Sequence, residues 1–229
     1  MRKLIIALLA ASLLLLSACG GAPAAPGDSG ELSVVVTIFP VYDWVLNIMG
    51  DVPGDVTLLM DSGVDLHSFQ PSAGDIVKLA SCDLFIYVGG ESDAWAEDAL
   101  KEAVNPDMIV LDLMDILGSA AVTEESVEGM EPEEEPEDGE IEYDEHVWLS
   151  LKNAEIFCSA IAEALTALDP EHGEVFAANE AAYGAKLDEL DGAYEAAVDS
   201  AARDTLLFGD RFPFRYLTDD YGLRYYAAF

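Results

Sequence analysis

Positive charge is scarce in this sequence. Lysine and arginine number 10 in 229 residues against 45 aspartates and glutamates, a formal net charge of −35. A surface that negative repels nucleic acid and anionic headgroups and concentrates cations around it, which excludes nucleic-acid binding. Cysteine is almost as rare. Three residues, Cys19, Cys82 and Cys158, cannot build a disulfide-rich scaffold. Cys82 follows a helical pattern and Cys158 lies within one, the setting of buried thiols, although the sequence leaves a bond between them open. There are three histidines. Neither a HExxH helix nor a nucleophile elbow occurs, so a zinc hydrolase, which would need an open coordination position for water, finds no motif here.

What is present begins with apolar residues, 52% of the chain. That is enough for a real core and rules out global disorder. The first 18 residues carry two positive charges and an apolar run from Leu4 to Leu16, too short to cross a bilayer comfortably and laid out as a secretory signal. Leu16-Ser17-Ala18-Cys19-Gly20 resembles the bacterial lipoprotein signal, which implies that Cys19 is the lipidated first residue of the mature protein. Residues 19–31, rich in Gly, Pro and Ala, read as a flexible tether. The expected location is the extracytoplasmic face of the cell membrane, held by a lipid anchor.

Apolar runs of strand length occur at Leu32–Phe39, Val56–Met60, Leu84–Val88 and Met108–Leu111, separated by helical patterns at Val41–Met49, Ala73–Ala80 and Ala94–Ala103. Continuous apolar strands alternating with helices predict a parallel sheet covered on both faces, an α/β lobe over residues 32–123. Residues 124–145 break the pattern. They are Glu-rich, contain Pro132, Pro136 and Gly139, and predict a mobile, solvated acidic loop. A helix over residues 146–169, with Leu151, Ala154, Phe157, Ile161, Leu165 and Leu168 on one face, completes the lobe. Asp169-Pro170 then reads as the N-cap and first position of a long helix over residues 170–203, roughly 45 Å at about 1.5 Å per residue. Such a rod suits a strut between lobes. Residues 204–229 restart a strand–helix–strand pattern. The expected fold is therefore α/β, with two parallel-sheet lobes joined by a long rigid helix and the second lobe incomplete, as in a truncated sequence.

Two histidines sit where chemistry gathers. His67 follows the second strand, and loops beyond the C-terminal ends of parallel strands form the binding edge of such sheets. His146 closes the acidic stretch just before the chain turns apolar. Neutral imidazole is a good ligand for zinc and other first-row metals, with carboxylates to complete a site. His172, among charged neighbours at the start of the long helix, reads as a plain solvated residue.

These motifs are similar to those of the metal-binding lipoproteins that feed zinc and manganese ABC importers. VTIFPVYDW resembles their opening strand and turn, GVDLHSFQPS their first ligand loop, DLFIYVGGESDAW the next strand and turn, DEHVWLSLKNA the segment bearing the second histidine, and FGDRFPFRYLTDDYGL the segment after the long helix. The likeness runs from about Val34 to the last residue. It implies that His67 and His146 are metal ligands, that Zn2+ is the transported ligand with Mn2+ or iron as the alternative, and that the partner is an ABC permease. It also implies a monomer that is not an enzyme, with a rigid helix that limits lobe movement. In zinc members a flexible loop precedes the second ligand. Here Glu133, Glu134, Glu135, Glu137, Asp138, Glu140, Glu142, Asp144 and Glu145 would make it a weak, metal-attracting field. A surface adhesin is a further alternative for a lipid-anchored acidic protein.

The sequence departs from the family pattern at the third ligand. Where a histidine is usual, an ungapped comparison places Arg211, which cannot bind a cation, so Asp210 beside it becomes the expected ligand. Leu66 and Glu145 replace the prolines that usually precede the two histidines.

Overall fold

The computed structural model describes residues 31–61, 65–124, 127–130 and 142–228. Cys19 with its signal and tether, and Glu133, Glu134, Glu135, Glu137, Asp138 and Glu140, lie outside the described residues. Among those described, no helix is long and apolar enough to cross a membrane.

The chain enters on β1 (Leu32–Val36), whose Val34, Val35 and Val36 are fully buried. The apolar run continues to Phe39, but the strand does not. Pro40 at the first turn fixes a helical φ, and α1 spans Phe39–Met49. β2 (Gly54–Leu58) follows, then a 3-10 turn at Leu66–Ser68 and α2 (Ala73–Ser81). A reciprocal capping box between Ser72 and Asp75 starts α2. β3 (Leu84–Tyr87), α3 (Trp95–Leu100), β4 (Ile109–Asp112) and the short α4 (Leu113–Leu117) complete the first part. All four strands are parallel in the order β2-β1-β3-β4. Right-handed crossovers put α1 on one face and α2 and α3 on the other, so central strands are apolar on both faces.

On the α1 face lie α5 (Leu151–Leu168) and α6 (Gly173–Asp199), packed on each other and on α1. The predicted stripe of α5 is largely buried: Ala154, Phe157, Ile161 and Leu165 are core residues, and Phe157 lies against Trp44 of α1 at 5.9 Å between rings. At about 1.5 Å per residue, the 27 residues of α6 make a rod of roughly 40 Å. Its first half is held to α1 by Tyr183 Oη donating to Asp43 and Asn179 donating to the Ile48 carbonyl. Leu190 and Tyr194 further along are exposed. Asp169 also differs from its expected capping role. A 3-10 turn at Pro170–His172 precedes α6, and the Asp169 carboxylate meets His172 Nδ1 at 2.6 Å instead of a backbone N–H. His172 is therefore paired rather than simply solvated.

Beyond α6, β5 (Thr205–Leu207), α7 (Arg215–Asp220) and β6 (Arg224–Tyr226) form a second, two-stranded parallel sheet with its own aromatic cluster of Phe212, Tyr225 and neighbouring Phe208 and Phe214. Val127 and Met130, from the acidic stretch, pack onto this cluster. Cys82 and Cys158 are both buried free thiols whose pKa values burial pushes up to about 12, so they are inert, unionised core groups.

Candidate metal centre

The C-terminal edge of the first sheet gathers three loops. The 3-10 turn after β2 carries His67, the turn after β3 carries Gly89 to Asp93, and the chain returning from the acidic stretch brings His146. β1 and β3 are neighbours whose following helices lie on opposite faces, which opens a crevice at this edge. There the rings of His67 and His146, far apart in sequence, lie with centroids 5.4 Å apart.

Each ring is oriented by a partner at Nδ1. Asp65 caps the turn by accepting from the His67 backbone N–H, and the His67 Nδ1 meets Ser92 Oγ at 3.0 Å. His146 is held twice by one carboxylate, with its backbone N–H and its Nδ1–H both reaching Asp144 Oδ1, at 2.8 and 3.1 Å. A carboxylate accepts only, so Asp144 fixes the proton on Nδ1 and leaves Nε2 with its lone pair. Ser92 permits the same tautomer of His67. The result is two imidazoles on separate segments that can each offer Nε2 to a cation.

Asp144 and Glu145 correct the sequence reading. They were expected in a solvated loop, but their relative exposures are 6% and 7%. The two ends of the acidic stretch are zipped together. Thr123 pairs with Tyr143, Glu124 N–H donates to the Glu142 carbonyl, and Asp144 N–H donates to the Val122 carbonyl. Tyr216 of α7 clamps this neck, its hydroxyl accepting from Val122 N–H and donating to the Asp144 carbonyl. Glu142, Asp144 and Glu145 thus belong to ordered structure that shapes the site, and sequence composition alone could not separate them from the glutamates before them. Tyr216 and Ser92 were missed as well. Neither residue type signals a role without knowing which loops meet.

Asp210 is exposed, and its carboxylate accepts from the N–H of Arg211. Among the described residues no three His, Cys, Asp or Glu side chains converge closely enough to hold a metal, so Asp210 does not join the histidine pair in this arrangement. Arg211 reaches the first ligand loop instead, 3.7 Å from Asp65. His172 lines a separate cavity with Gly50, Val52 and Asn179.

With that geometry in hand, comparison with known proteins is informative. The family model for the periplasmic component A of the zinc-uptake complex matches residues 34–229. The chain belongs to this family. That family takes its name from zinc uptake, a transport role. Among ZnuA-type relatives, the zinc-binding protein AdcA of Streptococcus pyogenes is 33% identical over 201 residues, covering 85% of this chain and 39% of that protein. The zinc-binding lipoprotein AdcA of Streptococcus pneumoniae is 31% identical over 235 residues, 99% of this chain and 44% of the relative. The crystal structure of Zn(II)-bound AdcA from Streptococcus pneumoniae superposes with a TM-score of 0.71 at 29% identity, covering 87% of this chain and 39% of that one. This ZnuA-type chain therefore spans about two fifths of the length of these two curated relatives.

Behind the site, Asp93 is almost wholly buried, its Oδ2 accepting from the N–H groups of Val88 and Gly89. Burial pushes its pKa up to about 6, and the Glu145 charge adds to the rise. Because the folded state then holds this proton more tightly than the unfolded chain, stability falls as pH rises from about 4 to about 6. Asp93→Asn should remove that dependence. The stability difference between variant and parent is expected to move in the variant's favour by on the order of 2–3 kcal/mol between pH 4 and pH 7, measured by urea unfolding at both. An unchanged difference would show that Asp93 titrates normally.

Proposed function

We propose that this chain captures Zn2+ as cargo at the His67–His146 pair and delivers it to the membrane permease of an ABC importer, as a monomer tethered through a lipid on Cys19. The observation that carries this reading is the convergence of two imidazoles at 5.4 Å, with Nδ1 of His146 held by a carboxylate and Nδ1 of His67 by a hydroxyl. That is the usual second shell of a histidine metal ligand. Imidazole suits zinc better than manganese, and the relatives above are named for zinc. The reading keeps Asp210 as the third ligand, a role that requires its segment to move toward the histidine pair when metal binds; the contact of its neighbour Arg211 with Asp65 supports that proximity. The carboxylates from Glu133 to Glu140 act as a weak cation reservoir, concentrating metal without competing for it.

A chelator-buffered titration of the chain with Zn2+ and, separately, Mn2+ tests this. One tight zinc equivalent, with manganese weaker, is the expected result. Weak binding of many zinc ions would mean that the acidic stretch alone binds metal, and would overturn the proposal.

A further inference from the structure

Glu145 is a costly residue where it stands. It is an acidic side chain at 7% exposure, and its Oε2 is buried with no hydrogen-bond partner among the described residues. Burying a carboxylate without full pairing opposes folding, so its retention calls for a compensating role. The neighbouring groups supply one. Glu145 Oε1 accepts from the Ser92 N–H at 2.8 Å, and Ser92 Oγ in turn meets His67 Nδ1 at 3.0 Å. Glu145 is also the residue before His146. One chain of two hydrogen bonds therefore runs from the backbone that carries the second histidine to the ring of the first.

The loop is built to admit this carboxylate. Gly90 has φ +75°, and a Cβ there would stand 2.5 Å from Glu145 Oε1. Any other residue would be strained in this conformation and would push the carboxylate off Ser92. Leu66 and Phe69 anchor the His67 turn to the core and Asp65 caps it, but among the described residues only Ser92 holds the exposed His67 ring at Nδ1.

We infer that Glu145 and Ser92 form a staple that fixes the spacing of the two imidazoles before metal arrives, with Glu145 as a positioning residue and not a ligand. This rests on the reading of His67 and His146 as ligands. The staple removes the cost of bringing two loops together at the moment of binding.

The test uses the chain with Glu145→Ala, Glu145→Gln, Ser92→Ala and the Glu145→Ala/Ser92→Ala pair, in zinc competition titrations and in NMR of the metal-free protein. Glu145→Ala and Ser92→Ala should each weaken zinc binding by about 10–100-fold, the usual effect of losing an outer-shell partner. The pair should be no weaker than the worse single variant, because both cut one chain of contacts. Glu145→Gln, whose amide oxygen can accept the same N–H, should restore most of the affinity. Cross-relaxation between the His67 and His146 ring protons in metal-free protein should be present in the parent and Glu145→Gln, and weakened in Glu145→Ala and Ser92→Ala.

Two results would overturn the inference. One is Glu145→Ala with intact ring contact and an affinity within about threefold of the parent. The other is Glu145→Gln as weak as Glu145→Ala, since the carboxylate would then act by charge or direct ligation. If Glu145→Ala fails to fold, Ser92→Ala decides alone, because it keeps the Glu145 bond to the Ser92 backbone. A parent that binds no zinc tightly would defeat the functional reading, while the metal-free ring contact would still judge the staple.

Discussion

Replacing both His67 and His146 by alanine is expected to abolish tight zinc binding while the protein still folds. Structural zinc sites of four ligands are worth about 10–16 kcal/mol, so each ligand carries roughly 3 kcal/mol and the loss of two costs on the order of 10⁴-fold or more in affinity. Little structure depends on the rings themselves. His67 is exposed, and the His146 side chain is 20% exposed. The Asp144 carboxylate keeps its bond to the backbone N–H of residue 146 whatever the side chain. The melting temperature of the metal-free double variant should therefore stay within a few degrees of the parent. Residual weak, multi-site binding is expected from the acidic residues, and it should fall with salt because it is electrostatic. A double variant that keeps one tight zinc equivalent would place the site elsewhere.

The second large effect is on stability, at the seam between α1 and α5. Phe157→Ala should cost about 3–5 kcal/mol, the range for removing a fully buried aromatic ring. Phe157 has no exposed surface and lies against Trp44, which is also buried. Its neighbour Cys158 is also buried, so little nearby can collapse into the cavity. For a domain of this size each kcal/mol moves Tm by about 2–4 °C, so calorimetry should show a drop of roughly 10–15 °C. Phe157→Leu should cost much less. A drop of only a few degrees for the alanine variant would mean that α5 packs less tightly on α1 than the structure shows. This seam matters for function because Ser150 starts α5. Its hydroxyl accepts from Asn153 N–H and donates to Asp220 at the end of α7. The segment that carries His146 thus hangs on the same helix.

The glutamates of the acidic stretch show how far composition can be pushed. A Glu-rich run with proline and glycine reads uniformly as solvated, because local sequence reports only average polarity. In the structure its ends behave differently. Val127 and Met130 pack on the C-terminal aromatic cluster, while Asp144 and Glu145 are buried at the sheet edge. Whether a carboxylate is buried depends on which distant N–H groups face it. For Glu145 that group is the backbone of Ser92, which comes into place only when β3 and the returning chain share an edge.

By itself, the sequence determined the main elements and the candidate ligands. Continuous apolar strands separated by helical patterns are enough for a parallel α/β sheet, since each strand must be covered on both faces. The two histidine motifs pointed to His67 and His146 because GVDLHSFQPS and DEHVWLSLKNA resemble the ligand-bearing segments of the family. The sequence also located the long helix that is α6, although it could not tell that the second half of the rod is largely exposed, because helical pattern is local and burial is not. Tertiary structure alone decided the rest. It brought the two rings to 5.4 Å and made Asp144 the orienting carboxylate. It tied Glu145 to Ser92, set Tyr216 across the neck of the acidic stretch, and turned Arg211 toward Asp65. Apart from the local Asp144–His146 bond, each is a contact between segments tens of residues apart, fixed by the sheet order and the helices packed upon it, and no local pattern encodes such distances.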